Sequence, residues 1–305
     1  MQGRLDYWLN RPEYIYQPNR LIRRIFGEEQ RERGEQTIEL PWGLPLEVDT
    51  SQTIGLILSH HGIWDLPVVE AIFRLVDPSD NVLDVGANAG YMTAAAAGAG
   101  AKRVIAFEPH PALFARLGRS VARWNAMPRV AGRVVARQEA VSAGQGTATL
   151  LIPKKGWADN EISTLETKAD LDGFDQVRVT TTALDTIVRE IQEPIGLLKI
   201  DIEGHEFQAF KGGSESLGGR KIRDILYEDH NGVDSDATQL LMKHGYSIFG
   251  LRRSVLGPVL LSGLSAGKLT YGEHNLLATL EPARAKERIL RNGYKCMSRA
   301  AKAGS

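Results

Sequence analysis

The sequence has a single cysteine and no net charge. It also has no apolar run that could span a bilayer, because the longest uncharged stretch in its C-terminal part, residues 254–267, is too short and too rich in glycine. Because Cys296 stands alone, the chain can form neither an intramolecular disulfide nor a cysteine-based zinc site, which fits a reducing cytoplasm. The 37 basic residues are balanced by 37 acidic ones, so the positive excess of general nucleic-acid binders is missing. Arg4 and Asp6 interrupt the N-terminus, where a signal peptide needs an apolar core. We therefore expect a soluble, cytoplasmic protein with no membrane span and no nucleic-acid partner.

A glycine-containing turn follows a short apolar strand in the first half of the chain. Residues 82–85 read Val-Leu-Asp-Val, and residues 86–90 read Gly-Ala-Asn-Ala-Gly before an alanine-rich helix. A strand that leads into such a turn at a helix N-terminus brings backbone close to a cofactor in α/β folds. Asn88 stands where a dinucleotide-binding turn has its second glycine, and Asp84 would repel a phosphate. Both residues favour a cationic cofactor without phosphate, and S-adenosylmethionine has these properties.

An acidic residue ends the next predicted strand. Residues 103–107 form this strand, and Glu108-Pro109 follows it. A carboxylate at the tip of the second strand is placed to accept hydrogen bonds from both hydroxyls of a ribose. An ordinary strand–helix connection explains the turn alone, but it does not explain the turn together with Glu108 at this spacing.

Carboxylates also follow the strand predicted at residues 195–200. Asp201 and Glu203 come directly after it, with His205 close behind. Ligands of open α/β sheets bind at the carboxyl ends of the strands, which makes these residues candidates for a site. The structural alternative is helix capping by Asp201, with Glu203 and Glu206 favoured in the first turn by the helix dipole.

The sequence gives little support to a metal site. His60 and His61 are adjacent and therefore point in different directions, and no other histidine or cysteine lies at ligand spacing nearby. The strand after the carboxylates ends at Glu228 and His230, which could hold one hard cation together with Asp201. We predict no metal, and this cluster is the alternative that stays open.

The segments 144–153 and 176–182 both alternate like strands, which is unusual inside a strand–helix repeat. They predict an inserted β-hairpin. The polar loop between them contains aromatic and polar side chains that could face a substrate. The candidates in this loop are Trp157, Asn160 and Ser163.

The two ends of the chain lie outside the strand–helix repeat. Residues 1–53 are predicted to form an N-terminal extension with a helix from Asn19 and a small hairpin around Trp42. The functional alternative is that this extension acts as a lid or as a dimerisation arm. As a dimerisation arm it would make the protein a homo-oligomer. Residues 281–305 form a basic tail that docks, binds an acidic partner or frays.

Three of these segments together resemble the FkbM family of class I S-adenosylmethionine-dependent methyltransferases. They are the D-V-G-A-N-A-G run at 84–90, Glu108-Pro109, and the K-I-D-I-E-G-H-E run at 199–206. The resemblance extends over roughly residues 54–280. Weaker matches to the family pattern include Asn125 and the aromatic–acidic pair Trp64-Asp65. The chain departs from the family at Asp65, where glutamate is commoner.

The resemblance implies a Rossmann-like α/β fold with a seven-stranded mixed sheet, helices on both faces and an antiparallel last strand. Residues 54–280 would form this methyltransferase domain. The implied reaction is O-methylation of a hydroxyl on a sugar, glycan or secondary-metabolite acceptor, with S-adenosylmethionine as cofactor. A base within hydrogen-bond reach must then take the proton of the hydroxyl, and Asp201 is the nearest candidate by topology.

Together with the patterns above, the resemblance assigns candidate residues to catalysis, to cofactor binding and to contact with the acceptor. The catalytic candidates are Asp201, Glu228, His230 and His205. The candidates for cofactor binding are Asp84, Gly86, Ala87, Asn88, Gly90, Tyr91, Glu108, Pro109, Asn125, Glu139, Ala140, Asp201 and Glu203. The candidates for contact with the acceptor are Trp64, Asp65, Trp157, Asn160 and Ser163.

Three alternatives to this function stay open. An NAD-linked oxidoreductase shares the strand–turn–helix arrangement, although Asn88 and Asp84 oppose it. Methylation of an amine or a nucleobase is less favoured, because those enzymes commonly have an Asn/Asp-Pro-Pro-aromatic run where this chain has residues 201–204. A nucleotide-binding module without catalytic activity is the third.

Overall fold

A mixed sheet of eight strands forms the centre of the fold. In this computed structural model the described residues are 12, 33–154, 164–165, 172–262 and 274–298. The elements of the first half are β1 (Glu35–Glu39), β2 (Pro45–Asp49), α1 (Thr53–His61), α2 (Leu66–Leu75), β3 (Asn81–Val85), α3 (Tyr91–Gly98), β4 (Arg103–Phe107), α4 (Pro111–Asn125), β5 (Val134–Arg137), β6 (Ala140–Val141) and β7 (Gly146–Pro153). Those of the second half are β8 (Phe174–Thr182), α5 (Leu184–Ile191), β9 (Ile195–Ile200), α6 (Glu206–Lys211), α7 (Ser214–Gly218), β10 (Ile222–Glu228), α8 (Asp236–Lys243), β11 (Ser247–Ser254), β12 (Gly257–Leu261), β13 (Asn275–Thr279) and α9 (Pro282–Ile289).

The strand order of the main sheet is β12-β11-β13-β10-β9-β3-β4-β5. Strands β3, β4, β5, β9 and β10 pair in parallel, and β13 runs antiparallel between β10 and β11. The antiparallel last strand and the Rossmann-like class are therefore confirmed. The predicted number of seven strands is wrong by one, because β12 pairs with β11 after a tight turn at residues 254–257. From the sequence, this glycine-containing stretch predicts only that the chain does not span a membrane there.

Helices cover both faces of the sheet. All residues of β3 and β9 are buried, as expected of parallel strands with helices on either side. Val82 packs into one core with the helices α2, α3 and α4, whereas its neighbour Leu83 packs into the other with α5, α6 and α8. No helix of the described residues is long and apolar enough to cross a membrane.

The predicted inserted hairpin is present. Strands β7 and β8 pair antiparallel, and β8 also pairs in parallel with β6, so that a separate three-stranded sheet forms. The predicted acceptor contacts Trp157, Asn160 and Ser163 lie outside the described residues.

The N-terminal hairpin of β1 and β2 is part of the hydrophobic core. The ring of Trp42, which is fully buried, lies against Phe73 and Tyr91. Trp124 of α4 donates from Nε1 to the carbonyl of Pro45. This hairpin therefore packs on the same face of the sheet as α3 and α4. The helix predicted from Asn19 lies outside the described residues, and the boundaries of the extension stay a prediction.

The C-terminal segment up to residue 298 docks on α2. Its backbone N–H groups at Lys295 and Cys296 donate to the fully buried carboxylate of Glu70, at 2.7 and 2.9 Å. The same carboxylate forms an ion pair with Arg74, whose Nη atoms donate to carbonyls of residues 288 and 293. The tail also uses its own positive charge, because Arg284 and Arg288 pair with Asp77.

The loops after β3 and β9 touch at one glycine. Gly86 has φ +76°, and a Cβ on it would lie 1.9 Å from the carbonyl oxygen of Asp201. The N–H of Asp201 donates to the carbonyl of Val85 at 3.1 Å. Only glycine can therefore occupy position 86, because any side chain would separate the two loops.

We expect Glu70→Ala to lower the free energy of unfolding by about 3–5 kcal/mol, because it removes the buried carboxylate that pairs with Arg74 and accepts from two backbone N–H groups. Urea denaturation followed by circular dichroism measures this change. Glu215→Ala is the control, since Glu215 forms only an exposed ion pair with Arg189, and its effect should stay within about 0.5 kcal/mol. Equal effects of the two substitutions would contradict the docking of the tail.

We expect Gly86→Ala to destabilise the protein by about 2 kcal/mol more than Gly100→Ala. Both glycines have positive φ, but a Cβ on Gly100 meets nothing within 4 Å. The control therefore measures backbone strain alone, and the difference between the two urea midpoints measures the contact with Asp201. Equal midpoints would show that the loops separate without cost.

Candidate functional site

A cavity opens at the carboxyl ends of β3, β4 and β9. Its volume is about 1190 Å³, including solvent at its mouth. Twelve of the predicted site residues line it: Trp64, Gly86, Ala87, Asn88, Tyr91, Glu108, Pro109, Glu139, Ala140, Asp201, Glu203 and His205. The structure thus brings together residues that lie up to 141 positions apart in the sequence, because the parallel strands end at the same edge.

The turn after β3 uses its own backbone donors within the protein. The N–H groups of Gly86 and Ala87 donate to the carbonyl of Phe107, and that of Gly90 donates to the carbonyl of Ala87. The N–H of Asn88 donates to Glu108, and the N–H of Ala89 donates to the Asn88 side chain. All five groups are therefore engaged, whereas a phosphate-binding turn aims such groups at its ligand.

Two of the predicted cofactor residues have structural contacts and do not line the cavity. Asn125 exchanges hydrogen bonds with the backbone of Val134 and so joins α4 to β5. A Cβ on Gly90 would meet Leu117 at 2.6 Å and Trp124 at 2.9 Å, so Gly90 allows α3 to approach α4. Both residues therefore contribute to packing around the turn, and their predicted contact with the cofactor stays a prediction.

Glu108 holds the turn and faces the cavity at the same time. Its two carboxylate oxygens accept from the N–H groups of Asn88 and His110, both at 2.8 Å. The residue is only 5% exposed, and this burial raises the pKa of Glu108 to about 7 although the two hydrogen bonds lower it. Each oxygen keeps a free lone pair, so the carboxylate can accept two further hydrogen bonds from a ligand.

Asp84 lies behind the cavity wall. Its Oδ2 accepts from Thr93, whereas its buried Oδ1 has no hydrogen-bond partner among the described residues. Burial raises the pKa of Asp84, while the ammonium of Lys199 on the neighbouring strand lowers it. Since buried polar atoms are rarely left unsatisfied, Oδ1 indicates a donor that the described residues do not supply.

Asp201 and Glu203 form the wall opposite Glu108 and Glu139. The predicted alternative for Asp201, helix capping, is not what the structure shows: His205 occupies the cap position of α6, and Glu206 accepts from the N–H of Ile202. Asp201 instead lies 3.4 Å from the Nζ of Lys199 and is partly exposed in the cavity.

Glu203 occupies a strained backbone position on the same wall. Its φ is +55°, a region that few residues other than glycine adopt, and Thr164 donates to its carbonyl at 3.0 Å. Burial together with the carboxylates of Asp201 and Glu228 raises the pKa of Glu203 to about 7. Strained residues of this kind cluster at functional sites.

Asp65 and Glu228 adjoin this wall but do not line the cavity. Asp65 accepts from the Asn275 side chain at 3.1 Å. Burial, followed by the repulsion of Glu228 and Asp201, raises the pKa of Asp65 to about 7. Burial and Asp201 also raise the pKa of Glu228. The carboxylates are therefore close enough to influence one another.

The predicted histidines lie in different surroundings. His205 forms a hydrogen bond of 2.9 Å with Ser142 beside the insert. His230 is largely exposed, lies 3.4 Å from Glu228 and stacks on the ring of His274. Within the described part of the chain, no group of three or more histidine, cysteine, aspartate or glutamate side chains is arranged to hold a metal ion.

Sequence reasoning missed part of the cavity wall. Lys199 lines the cavity, but the sequence indicates this residue only as part of the K-I-D-I-E-G-H-E run. An apolar wall comes from β2 and α1, with Leu46, Val48, Ile54 and Leu58. The alternation of residues 44–48 predicts a strand but does not say what the strand covers, so only the tertiary contact of this hairpin with α3 and α4 could show it.

A sequence model of the methyltransferase FkbM domain matches residues 84–248. A curated relative, the hexuronic acid methyltransferase AglP of Haloferax volcanii, is 28% identical over 177 residues, which are 57% of this chain and 66% of the relative. A solved methyltransferase FkbM from Methylobacillus flagellatus is 15% identical with a TM-score of 0.42, over 68% of this chain and 47% of that one. An O-methyltransferase from Bacillus cereus, solved with SAH, is 12% identical with a TM-score of 0.35, over 70% and 78% of the two chains. The domain match covers more than half of the sequence, and the chain therefore belongs to the FkbM methyltransferase family.

Proposed function

We propose that this protein transfers a methyl group from S-adenosylmethionine to a hydroxyl group of a sugar. The observation that carries the proposal is the buried carboxylate of Glu108 beside a turn whose five N–H groups are already engaged. Such a site offers acceptors for ribose hydroxyls but no backbone donors for phosphate. These properties suit a nucleoside cofactor that has a positive charge and no phosphate.

The chain's own residues fit this cofactor. Glu108 would accept from the ribose hydroxyls, and Glu139 with Ala140 would lie beside the adenine. Asp84 Oδ1, which has no donor among the described residues, would favour the ammonium of the methionine part, directly or through a water. Gly86, Ala87, Asn88 and Tyr91 would form the floor between these ends. When bound, S-adenosylmethionine supplies a methyl group on a positively charged sulfur.

Asp201 is our proposed proton acceptor for the hydroxyl of the sugar. When the hydroxyl oxygen takes the methyl group that the cofactor would supply, the hydroxyl proton would pass to the carboxylate of Asp201. Although burial opposes a charge on Lys199, the neighbouring carboxylates of Asp201 and Asp84 raise its pKa, so the ammonium persists. This ammonium holds Asp201 at the cavity wall, which is a matter of positioning as much as of basicity.

Two observations favour a sugar as the acceptor. The name of the curated relative AglP assigns it a hexuronic acid, which is a sugar derivative. In this chain Trp64 is 37% exposed and lines the cavity, where a sugar ring could pack on the face of its indole. The backbone N–H of Trp64 donates to the hydroxyl of Tyr91, which fixes Trp64 relative to the turn after β3.

We expect isothermal titration to show binding of S-adenosylmethionine and S-adenosylhomocysteine and no binding of NAD. Glu108→Gln should weaken both complexes by about 10–100-fold, because one hydrogen bond to a charged group contributes about 1.5–3 kcal/mol. Glu287→Gln is the control, since the side chain of Glu287 on α9 is exposed and pairs with Arg291 beyond the end of the helix. Binding of NAD, or an unchanged affinity in Glu108→Gln, would overturn the assignment of the cofactor.

We expect Asp201→Asn to lower kcat by about 100-fold or more while the affinity for S-adenosylhomocysteine changes less than about threefold. The amide keeps the size of the side chain but cannot accept the proton. Single-turnover assays that detect the methylated sugar measure the chemical step, and titration with S-adenosylhomocysteine measures the affinity for the cofactor product. A variant with full activity would place the base elsewhere, and Glu203→Gln tests the neighbouring carboxylate in the same way.

A further inference from the structure

The tight turn between β11 and β12 presents apolar side chains to solvent. Val255 and Leu256 occupy its two central positions, between the paired residues Ser254 and Gly257, and are 36% and 72% exposed. Turns of this length favour glycine, asparagine and aspartate, which adopt turn conformations at little cost and are well hydrated. Local turn chemistry therefore does not explain a Val-Leu pair at this position.

A third exposed apolar side chain lies on the segment that packs against this turn. Leu290, which follows α9, is 52% exposed. Three residues later the N–H of Gly293 donates to the carbonyl of Leu256 at 2.7 Å, and a Cβ on Gly257 would lie 2.9 Å from the carbonyl oxygen of Arg291. Single exposed apolar residues are ordinary, whereas a group of them marks a contact surface. Of the six large apolar side chains that are exposed in the described residues, three are gathered here, and we call them the apolar tip: Val255, Leu256 and Leu290.

Hydrogen bonds from the C-terminal segment hold the turn in place. The hydroxyl of the buried Tyr294 donates to the carbonyl of Ser254 at 2.6 Å and accepts from its N–H at 3.3 Å. The hydroxyl of Ser254 donates in turn to the carbonyl of Gly257 at 2.7 Å. Because the turn is already ordered, binding through its apolar side chains costs little conformational entropy.

The two segments that form the apolar tip carry an excess of positive charge. Residues 251–262 contain two arginines and no acidic residue, and residues 286–298 contain four basic residues and one acidic residue. Arg252 on β11 and Arg291 after α9 are both exposed. Since the whole chain has 37 basic and 37 acidic residues, this excess is local.

We propose that the apolar tip inserts into the surface of a membrane that contains anionic lipid. Apolar side chains gain free energy when they leave water for the boundary between head groups and acyl chains, and the basic residues around them are attracted to anionic head groups. A second copy of this chain would bring two positive surfaces together, which like-charge repulsion opposes. A lipid surface therefore complements both the apolar character and the charge of this region. The inference concerns where the protein binds and does not depend on the reaction that it catalyses.

The test is co-sedimentation of the full-length protein with vesicles. Vesicles of phosphatidylcholine alone are compared with vesicles that also contain about 30% phosphatidylglycerol, and we expect the anionic vesicles to bind the protein at least about tenfold more tightly. Raising the salt from about 0.1 to about 0.5 M should weaken this binding, because it screens the basic residues from the head groups.

Substitutions separate the apolar contribution from that of charge. Leu256→Ser should weaken binding to the anionic vesicles by about tenfold, because it removes the most exposed side chain of the apolar tip. Arg252→Gln should weaken it by about fivefold. The matched controls are Met242→Ser on α8 and Arg189→Gln on α5, which are exposed elsewhere and should leave the binding unchanged. Urea midpoints close to that of the unmodified protein show that all four variants fold.

Three results would overturn the inference. The first is the same affinity for both kinds of vesicle, or no binding to either. The second is unchanged binding of Leu256→Ser to anionic vesicles, which would assign the attraction to charge alone. The third is a dimer in sedimentation velocity that Leu256→Ser abolishes, without vesicle binding, since a second copy would then cover the apolar tip. Each of these results leaves methyl transfer to a soluble sugar as proposed above.

Discussion

The contact between Gly86 and the carbonyl of Asp201 is the constraint on which the site depends. It brings the turn that would hold the cofactor against the loop that carries the acidic residues, with no side chain between them. Strands β3 and β9 are neighbours in the sheet, so the two loops leave it side by side. A cofactor bound by one loop and a side chain of the other would therefore be held side by side, which is the positioning that transfer of a small group requires.

Around this contact the protein tolerates a costly arrangement of acids. Five carboxyl groups near the cavity have a raised pKa: Asp65, Asp84, Glu108, Glu203 and Glu228. Burial is the leading cause for each, and one lysine partly offsets it. Stability alone does not favour such a cluster, because buried charges lose hydration that their neighbours only partly replace. Groups with shifted pKa values often gather at functional sites, and two of these five, Glu108 and Glu203, line the cavity.

The sequence was most informative where local pattern and buried position coincide. Strands β3, β4 and β9 are short and apolar, and each is followed by a residue whose chemistry is distinctive, so both the fold and Glu108 could be predicted. Asn125 and Gly90 belong to the same pattern and do not line the cavity, and only the structure reveals their packing contacts. The eighth strand and the apolar wall from β2 and α1 could not be predicted, because each depends on a partner far away in the sequence.

The position of β13 has a consequence for how the chain is made. This strand is the last of the main sheet in the sequence, yet it lies between β10 and β11 and pairs with both. While the ribosome still holds residues 275–279, the nascent sheet has two open edges and α2 lacks the segment that covers Glu70. Open edges of this kind invite pairing with other chains. Pairing of β13 with both neighbours closes these edges, so the main sheet is complete only once residues 275–279 have joined it.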